Sequence, residues 1–183
     1  MPINLLKQYP ELLELNFLGT DARKRSLQGI FDRDIAENKN FNFRSKRIYP
    51  IKTDGELDMN REFTHLTTVE KEETDNQGCT IKRRVYDSYR SERLHWIKPH
   101  IQEVIKDNSD IEVFSVVERN QHKRVDVIRT YIYNKTQKYV VVLEPQMRNN
   151  ANAYYLLTAY YLNEKYGEKQ LKRKLKSKID SVL

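Results

Sequence analysis

The sequence predicts an α+β fold. Apolar residues recur at helical spacing near both ends and in the middle of the chain, while Glu112 to Tyr160 breaks into four β-branched or aromatic runs separated by polar turns. The length of 183 residues fits one domain with a real core, although the apolar share is low at 38% and the charged share high at 32%.

Ile3–Phe17 carries Leu5, Leu6, Leu12, Leu13 and Phe17 at helical spacing, interrupted by Pro10. Thr20-Asp21 offers a helix start, and Leu27, Ile30, Phe31 and Ile35 continue one face to about Asn38. Arg44–Lys52 reads as a short strand ended by the Asp54-Gly55 turn. Arg61–Glu72, rich in threonine and aromatic residues, reads as a strand that turns at Asp75-Asn76-Gln77-Gly78 and returns as Thr80–Tyr86. A helix is then predicted on Leu94, Ile97, Ile101, Val104 and Ile105, bent or restarted at Pro99. The four β runs are Glu112–Val117, Val125–Tyr133, Tyr139–Leu143 and Ala153–Tyr160; Tyr139–Leu143 is apolar on both faces and suits a central strand. Glu168–Val182 closes as a basic helix with Leu171, Leu175 and Ile179 on one side.

Several classes are disfavoured. No run approaches the roughly 18 apolar residues of a membrane span. The acids and proline inside MPINLLKQYPELLEL do not fit a signal peptide. Cys79 is the only cysteine, so a disulfide framework within the chain and a cysteine-based zinc site are both excluded, and a cytoplasmic setting is expected. The net charge is +7 and uneven: residues 1–90 carry 16 Lys/Arg against 15 Asp/Glu, and residues 91–183 carry 17 against 11. A basic second half points to a polyanion or an acidic partner, with plain surface lysine as the alternative.

The candidate chemistry centres on Arg90-Ser91-Glu92-Arg93-Leu94-His95-Trp96-Ile97. Arg90 and Arg93 fall on the side of the predicted helix that also carries Leu94 and Ile97, and cations near a helix N-terminus oppose its dipole. Guanidinium forks there suit a phosphate; the alternative is that Arg90 pairs with Asp87 and Arg93 turns outward. Glu92 is a candidate base or an orienter of an arginine, and equally a favourable acid in a first turn. Trp96 reads as a packing anchor. Of the four histidines, His65 is the acid/base candidate, placed mid-strand beside Thr64, Thr67 and Thr68, while His122 reads as a solvated turn residue. Thr158 and Tyr160 alternate with Ala159 and so share a strand face, where their hydroxyls can reach a phosphate. Lys82, Arg83, Arg84, Lys172, Arg173 and Lys174 are candidate nucleic-acid contacts. No HExxH, carboxylate cluster of metal-ligand spacing, GxSxG, P-loop or GxGxxG is present, so no cofactor is expected.

Phe63-Thr64-His65-Leu66-Thr67, the Arg90–Ile97 motif and Tyr155-Leu156-Leu157-Thr158-Ala159-Tyr160 before a basic tail resemble the phage- and mobile-element-associated branch of the barnase–EndoU–colicin–RelE-like (BECR) nucleases, over roughly residues 45–176. The resemblance implies helices packed on a four-stranded antiparallel sheet with the site on its open side. It implies metal-independent endoribonuclease activity with Arg90 and Arg93 at the phosphate, Thr158 and Tyr160 opposite them, and Glu92 and His65 in supporting roles. Residues 1–43 would then be an accessory helical segment, and 44–183 the nuclease domain with its basic C-terminal helix.

The expected function is a toxin-like or mobile-element effector that cleaves RNA by attack of a 2′-hydroxyl on the adjacent phosphate. Arg93→Ala is expected to lower cleavage by about two to three orders of magnitude. The alternatives are a non-catalytic nucleic-acid- or protein-binding module on the same scaffold, and a basic C-terminal helix that binds an acidic antitoxin or immunity protein.

Overall fold

A computed structural model describes residues 3–53, 55–74, 78–120, 124–148, 151–163 and 165–182. Its centre is a mixed sheet of six strands, in the order β1 (Asn42–Phe43), β2 (Lys46–Tyr49), β10 (Ala151–Tyr161), β9 (Tyr139–Arg148), β8 (Val125–Asn134), β7 (Ile111–Asn120), while β3 (Lys52–Thr53) and β4 (Glu56–Leu57) pair as a separate short hairpin. The α+β class holds, but the expected four-stranded antiparallel sheet is corrected. β7 to β10 run antiparallel as a meander, and β2 adds to β10 in parallel through Tyr154↔Ile48 and Tyr155↔Tyr49. The addition depends on a two-residue turn at Arg44 (φ +47°) and Ser45 (φ +68°), the left-handed pair that a tight hairpin requires. It returns the chain so that Ile48 enters the core. As expected for a central strand, Tyr139–Leu143 is buried on both faces.

One face of the sheet carries the helices. Ile132, Tyr139, Val141, Leu143, Tyr154, Leu156 and Ala159 pack against Leu27, Ile30 and Phe31 of α1 (Thr20–Phe31), Phe63 and Leu66 of α2 (Met59–Thr67), and Leu94, Trp96 and Ile97 around α3 (Ser88–Ser91) and α4 (Ile97–Ile101). Leu13, Leu15, Phe41 and Phe43 join the same cluster, so residues 1–43 and 44–183 build one core. On the other face, Phe114, Val116, Tyr131, Tyr133, Val140 and Val142 meet Leu171 of α5 (Lys165–Lys176). α5 covers only part of this face.

Three local expectations are corrected. Ile3–Phe17 is not a helix: after a single 3₁₀ turn at Ile3–Leu6 the chain crosses the core in irregular form, held by Trp96 Nε1–H to Glu11 O at 2.9 Å and Leu13 N–H to Glu92 O at 3.0 Å. Arg61–Thr67 is helical rather than extended. Asp58 caps Arg61 N–H at 2.8 Å, and the hydroxyls of Thr64 and Thr67 donate to the carbonyls of Asn60 and Phe63. Phe63, Leu66 and Thr67 bury one helical face, which outweighs β-branched propensity. The strand β5 (Thr68–Thr74) begins only afterwards and pairs with β6 (Thr80–Tyr86) as a separate exposed arm; residues 75–77 of the expected turn lie outside the described residues. Finally, α4 ends before Val104, which is 63% exposed, and α5 ends at Lys176, beyond which Ile179 N–H bonds Ser115 O at 2.9 Å.

Glu62 is fully buried on α2. Its Oε2 accepts Ile51 N–H at 3.0 Å, its Oε1 has no hydrogen-bond partner, and burial pushes its carboxyl up to about 8 from 4.5. The folded chain thus keeps a proton that the unfolded chain releases near 4.5, so this contribution is full below that pH and is lost as pH rises through 8. Between pH 6.5 and 8 this contribution should fall by about 1–2 kcal/mol. The urea midpoint of the wild type should therefore fall relative to that of Glu62→Gln across that window; the same slope in both proteins would refute the assignment. No described helix is long and apolar enough to cross a membrane.

Candidate active site

An open groove of ≈ 1370 Å³ lies on the sheet face that α5 leaves uncovered. Its floor is Arg129 and Tyr131 from β8, Val142, Glu144 and Gln146 from β9, and Leu157, Thr158 and Tyr160 from β10. Arg61, Thr64 and His65 of α2 and Arg84 of the β5–β6 arm form one wall, and Lys174 of α5 stands opposite. The lining holds five cations (Lys52, Arg61, Arg84, Arg129 and Lys174) against three carboxylates (Asp58, Glu70 and Glu144).

A bulge in β10 decides what faces the groove. Leu156 pairs with Leu143 and Thr158 with Val142, so Leu157 is an extra residue. Leu156 and Ala159 therefore both enter the helical core, while Leu157, Thr158 and Tyr160 line the groove. The expectation that Thr158 and Tyr160 share a face holds. Because β2 pairs with β10 only at Tyr154 and Tyr155, the outer edge of Thr158 is left to α2 and α3.

Arg90 arrives from α3 at that edge. Its Nη1 donates to His65 O at 3.0 Å and Thr158 Oγ1 at 3.4 Å, and its nearest carboxylate oxygen, on Asp87, is 3.9 Å from Nε. Burial lowers its pKa, and the contact with Asp87 offsets this in part. A partly desolvated cation with so distant a counter-ion favours an incoming anion.

His65 shares this wall. Its Nδ1 lies 3.0 Å from Arg84 Nη2, which can only donate, so Nδ1 is the acceptor and Nε2 carries the proton. Burial first, then Arg90, Arg84 and Arg61, lower its pKa to about 4. The imidazole is neutral at physiological pH and presents a hydrogen-bond donor through Nε2, with the lone pair needed by a base already engaged. Tyr160 is pushed up to about 12, by burial and then by Glu118, and keeps its proton.

The remaining sequence candidates are dispersed. Arg93 is not among the residues lining the groove; it is 8% exposed, its guanidinium 4.2 Å from the Tyr161 ring centroid and 5.2 Å from that of Trp96, donating to Tyr89 O at 3.0 Å. Glu92 stays beside it at 3.9 Å. Lys82 is paired with Glu70 and Glu72 on the arm, and Arg83, its neighbour on the strand, points to the arm's other face. Lys172 pairs with Glu168 at 2.8 Å, Arg173 is exposed outside the lining, and only Lys174 of that run reaches the groove. His95 and His100 are core residues, and His122 lies outside the described residues.

Sequence reasoning missed a polar row across the floor. Arg129 Nη1 donates to Glu118 Oε2 at 3.0 Å and its Nε lies 3.9 Å from Glu144 Oε2. Lys174 Nζ and Tyr131 OH converge on Glu118 Oε1 at 2.7 and 2.8 Å. Burial pushes the Glu118 carboxyl up, but bonds from Lys174 and Tyr131 outweigh it and hold it below the usual range. The signal lay only in alternation: Arg129 and Tyr131 share one face of β8, and Glu144 and Gln146 one face of β9. Among the described residues no three His, Cys, Asp or Glu side chains gather as a metal-ion site.

The chain matches no model of a known protein family, no curated protein and no solved structure.

Proposed function

We propose that the groove binds a single RNA strand through its phosphates and cleaves it by attack of a 2′-hydroxyl on the adjacent phosphorus. The observation that carries this reading is the meeting of Thr158, His65 and Arg84 in an open groove with surplus positive charge, with Arg90 beside them bonded to Thr158 and to the His65 carbonyl. A phosphate beside Thr158 Oγ1 would take hydrogen bonds from the guanidiniums, with His65 Nε2–H as a further donor. These charges favour the transition state, where negative charge builds on the phosphoryl oxygens. The 2′-oxygen bonds to phosphorus and the bond to the 5′-oxygen breaks, leaving a 2′,3′-cyclic phosphate. The Tyr160 hydroxyl, which lines the same groove and is still protonated at neutral pH, would protonate the departing 5′-oxygen. The resemblance of the Arg90–Ile97 and Tyr155–Tyr160 segments to BECR nucleases supports the same reading. An acidic antitoxin or immunity protein would compete for the same groove.

The engaged lone pair of His65 favours a second reading, a binding module without turnover. End-labelled single-stranded RNA incubated with and without EDTA separates the two. Fragments with cyclic phosphate ends, formed equally in EDTA and not from the 2′-deoxy analogue, are expected. Salt-sensitive binding with no fragments would establish the binding module instead, and cleavage abolished by chelation would overturn the mechanism.

A further inference from the structure

The cleavage reading leaves one step without an agent: the 2′-hydroxyl proton must go somewhere, and His65 Nδ1 is occupied by Arg84. We propose, on the basis of that reading, that Glu144 is the general base. Of the three carboxylates lining the groove, Asp58 caps α2 through Arg61 N–H and Glu70 pairs with Lys82 at 3.3 Å on the arm. Glu144 is the one on the floor, 8% exposed. Its Oε1 is fixed by Gln146 Nε2–H at 2.7 Å, and its Oε2 lies 3.9 Å from Arg129 Nε, beyond hydrogen-bond length. The carboxylate is oriented through one oxygen, and the other is available for a proton.

Register brings it to the same floor. Thr158 is paired with Val142, and Glu144 follows two residues along β9 on the same face, across the Leu157 bulge from Thr158. Glu144 is therefore the carboxylate that a ribose meets along β9 when its 3′-phosphate sits at Thr158. In the step, the 2′-hydroxyl proton passes to Glu144 Oε2 and the 2′-oxygen bonds to phosphorus. The P–O5′ bond breaks and the 5′-oxygen takes the proton of Tyr160. Proton exchange with water then restores both side chains.

The charged and titratable groups around Glu144 include Arg129 and Tyr131 of β8, Glu118 of β7, Tyr155 and Tyr160 of β10, Lys174 of α5, and His65 and Arg84 across the groove. Glu144→Gln keeps the bond to Gln146 and removes the base. It should lower cleavage by about 10²–10⁴-fold and abolish the acid limb of the pH–rate profile. Affinity for an RNA carrying a single 2′-deoxy nucleotide at the cleavage site should stay within about twofold of wild type. Glu144→Asp, which keeps the charge facing Arg129, should retain the acid limb with a reduced rate, and decides the matter if the glutamine variant does not fold. Wild-type cleavage with either variant within about threefold of it would overturn the role of Glu144 and leave the ribonuclease reading standing. Absence of wild-type cleavage would remove both.

Discussion

Arg90→Ala is expected to lower RNA cleavage by about two to three orders of magnitude, the usual loss when a preorganised charge stabiliser is removed. Arg90 is the cation that joins the α2 wall to the floor: one guanidinium nitrogen holds the α2 carbonyl of His65 and the β10 hydroxyl of Thr158. Its loss takes away charge facing the phosphate and leaves the His65 carbonyl without this donor, which costs about 1–3 kcal/mol if no water replaces it. Single-turnover rates and urea midpoints measured together separate the two effects. Arg90→Lys restores the charge but not the fork, and should recover stability more than rate. An Arg90→Ala protein that folds and cleaves at the wild-type rate would remove Arg90 from the mechanism. Arg93→Ala, which the sequence alone ranked beside it, should act through stability: it removes a guanidinium enclosed by Trp96 and Tyr161, worth about 2 kcal/mol.

Acid should destabilise the protein before the range where carboxylates titrate is reached. His65, His95 and His100 are each lowered from 6.5 to about 4, in every case first by burial. The unfolded chain gains these protons as pH falls through 6.5, whereas the folded chain resists them until about 4. The stabilisation is therefore complete above 6.5 and lost progressively below it. For the two fully enclosed rings, His95 and His100, the full loss is about 3 kcal/mol each, against a typical total stability of about 5–15 kcal/mol. Glu62 works in the opposite sense between 4.5 and 8, leaving a net slope near two protons, or about 2.7 kcal/mol per pH unit around pH 5 to 6. Urea midpoints at pH 7, 6 and 5 should fall mainly between 6 and 5, and His100→Gln should shallow that slope by about one proton. Midpoints unchanged between pH 7 and 5 would contradict the buried neutral histidines.

His65 and its neighbours show where local reading fails. Phe63 to Val69 has the composition of a strand, yet Asp58 and the threonine hydroxyls support a helix, and only at Thr68 does the chain extend. Propensity was overruled by one apolar face, Phe63 and Leu66, meeting the core. The arginine motif shows the same limit. Arg90 and Arg93 lie on adjacent faces of one short turn, and nothing in the motif says which of them β10 will meet. Glu144 and Arg129 were invisible singly, because a charged residue in an apolar strand acquires meaning only beside its partner on the next strand.

From its sequence alone the chain determined its α+β class, the four strands of the meander with Tyr139–Leu143 at the centre, the helix from Thr20, a basic C-terminal helix, and a shared face for Thr158 and Tyr160. These follow from periodicity, which is local. Tertiary structure decided the parallel addition of β2, the turn of Arg93 into an aromatic enclosure, the tautomer of His65 and the polar floor of the groove. Each depends on which distant segment arrives as neighbour, and that is settled by packing of the whole core.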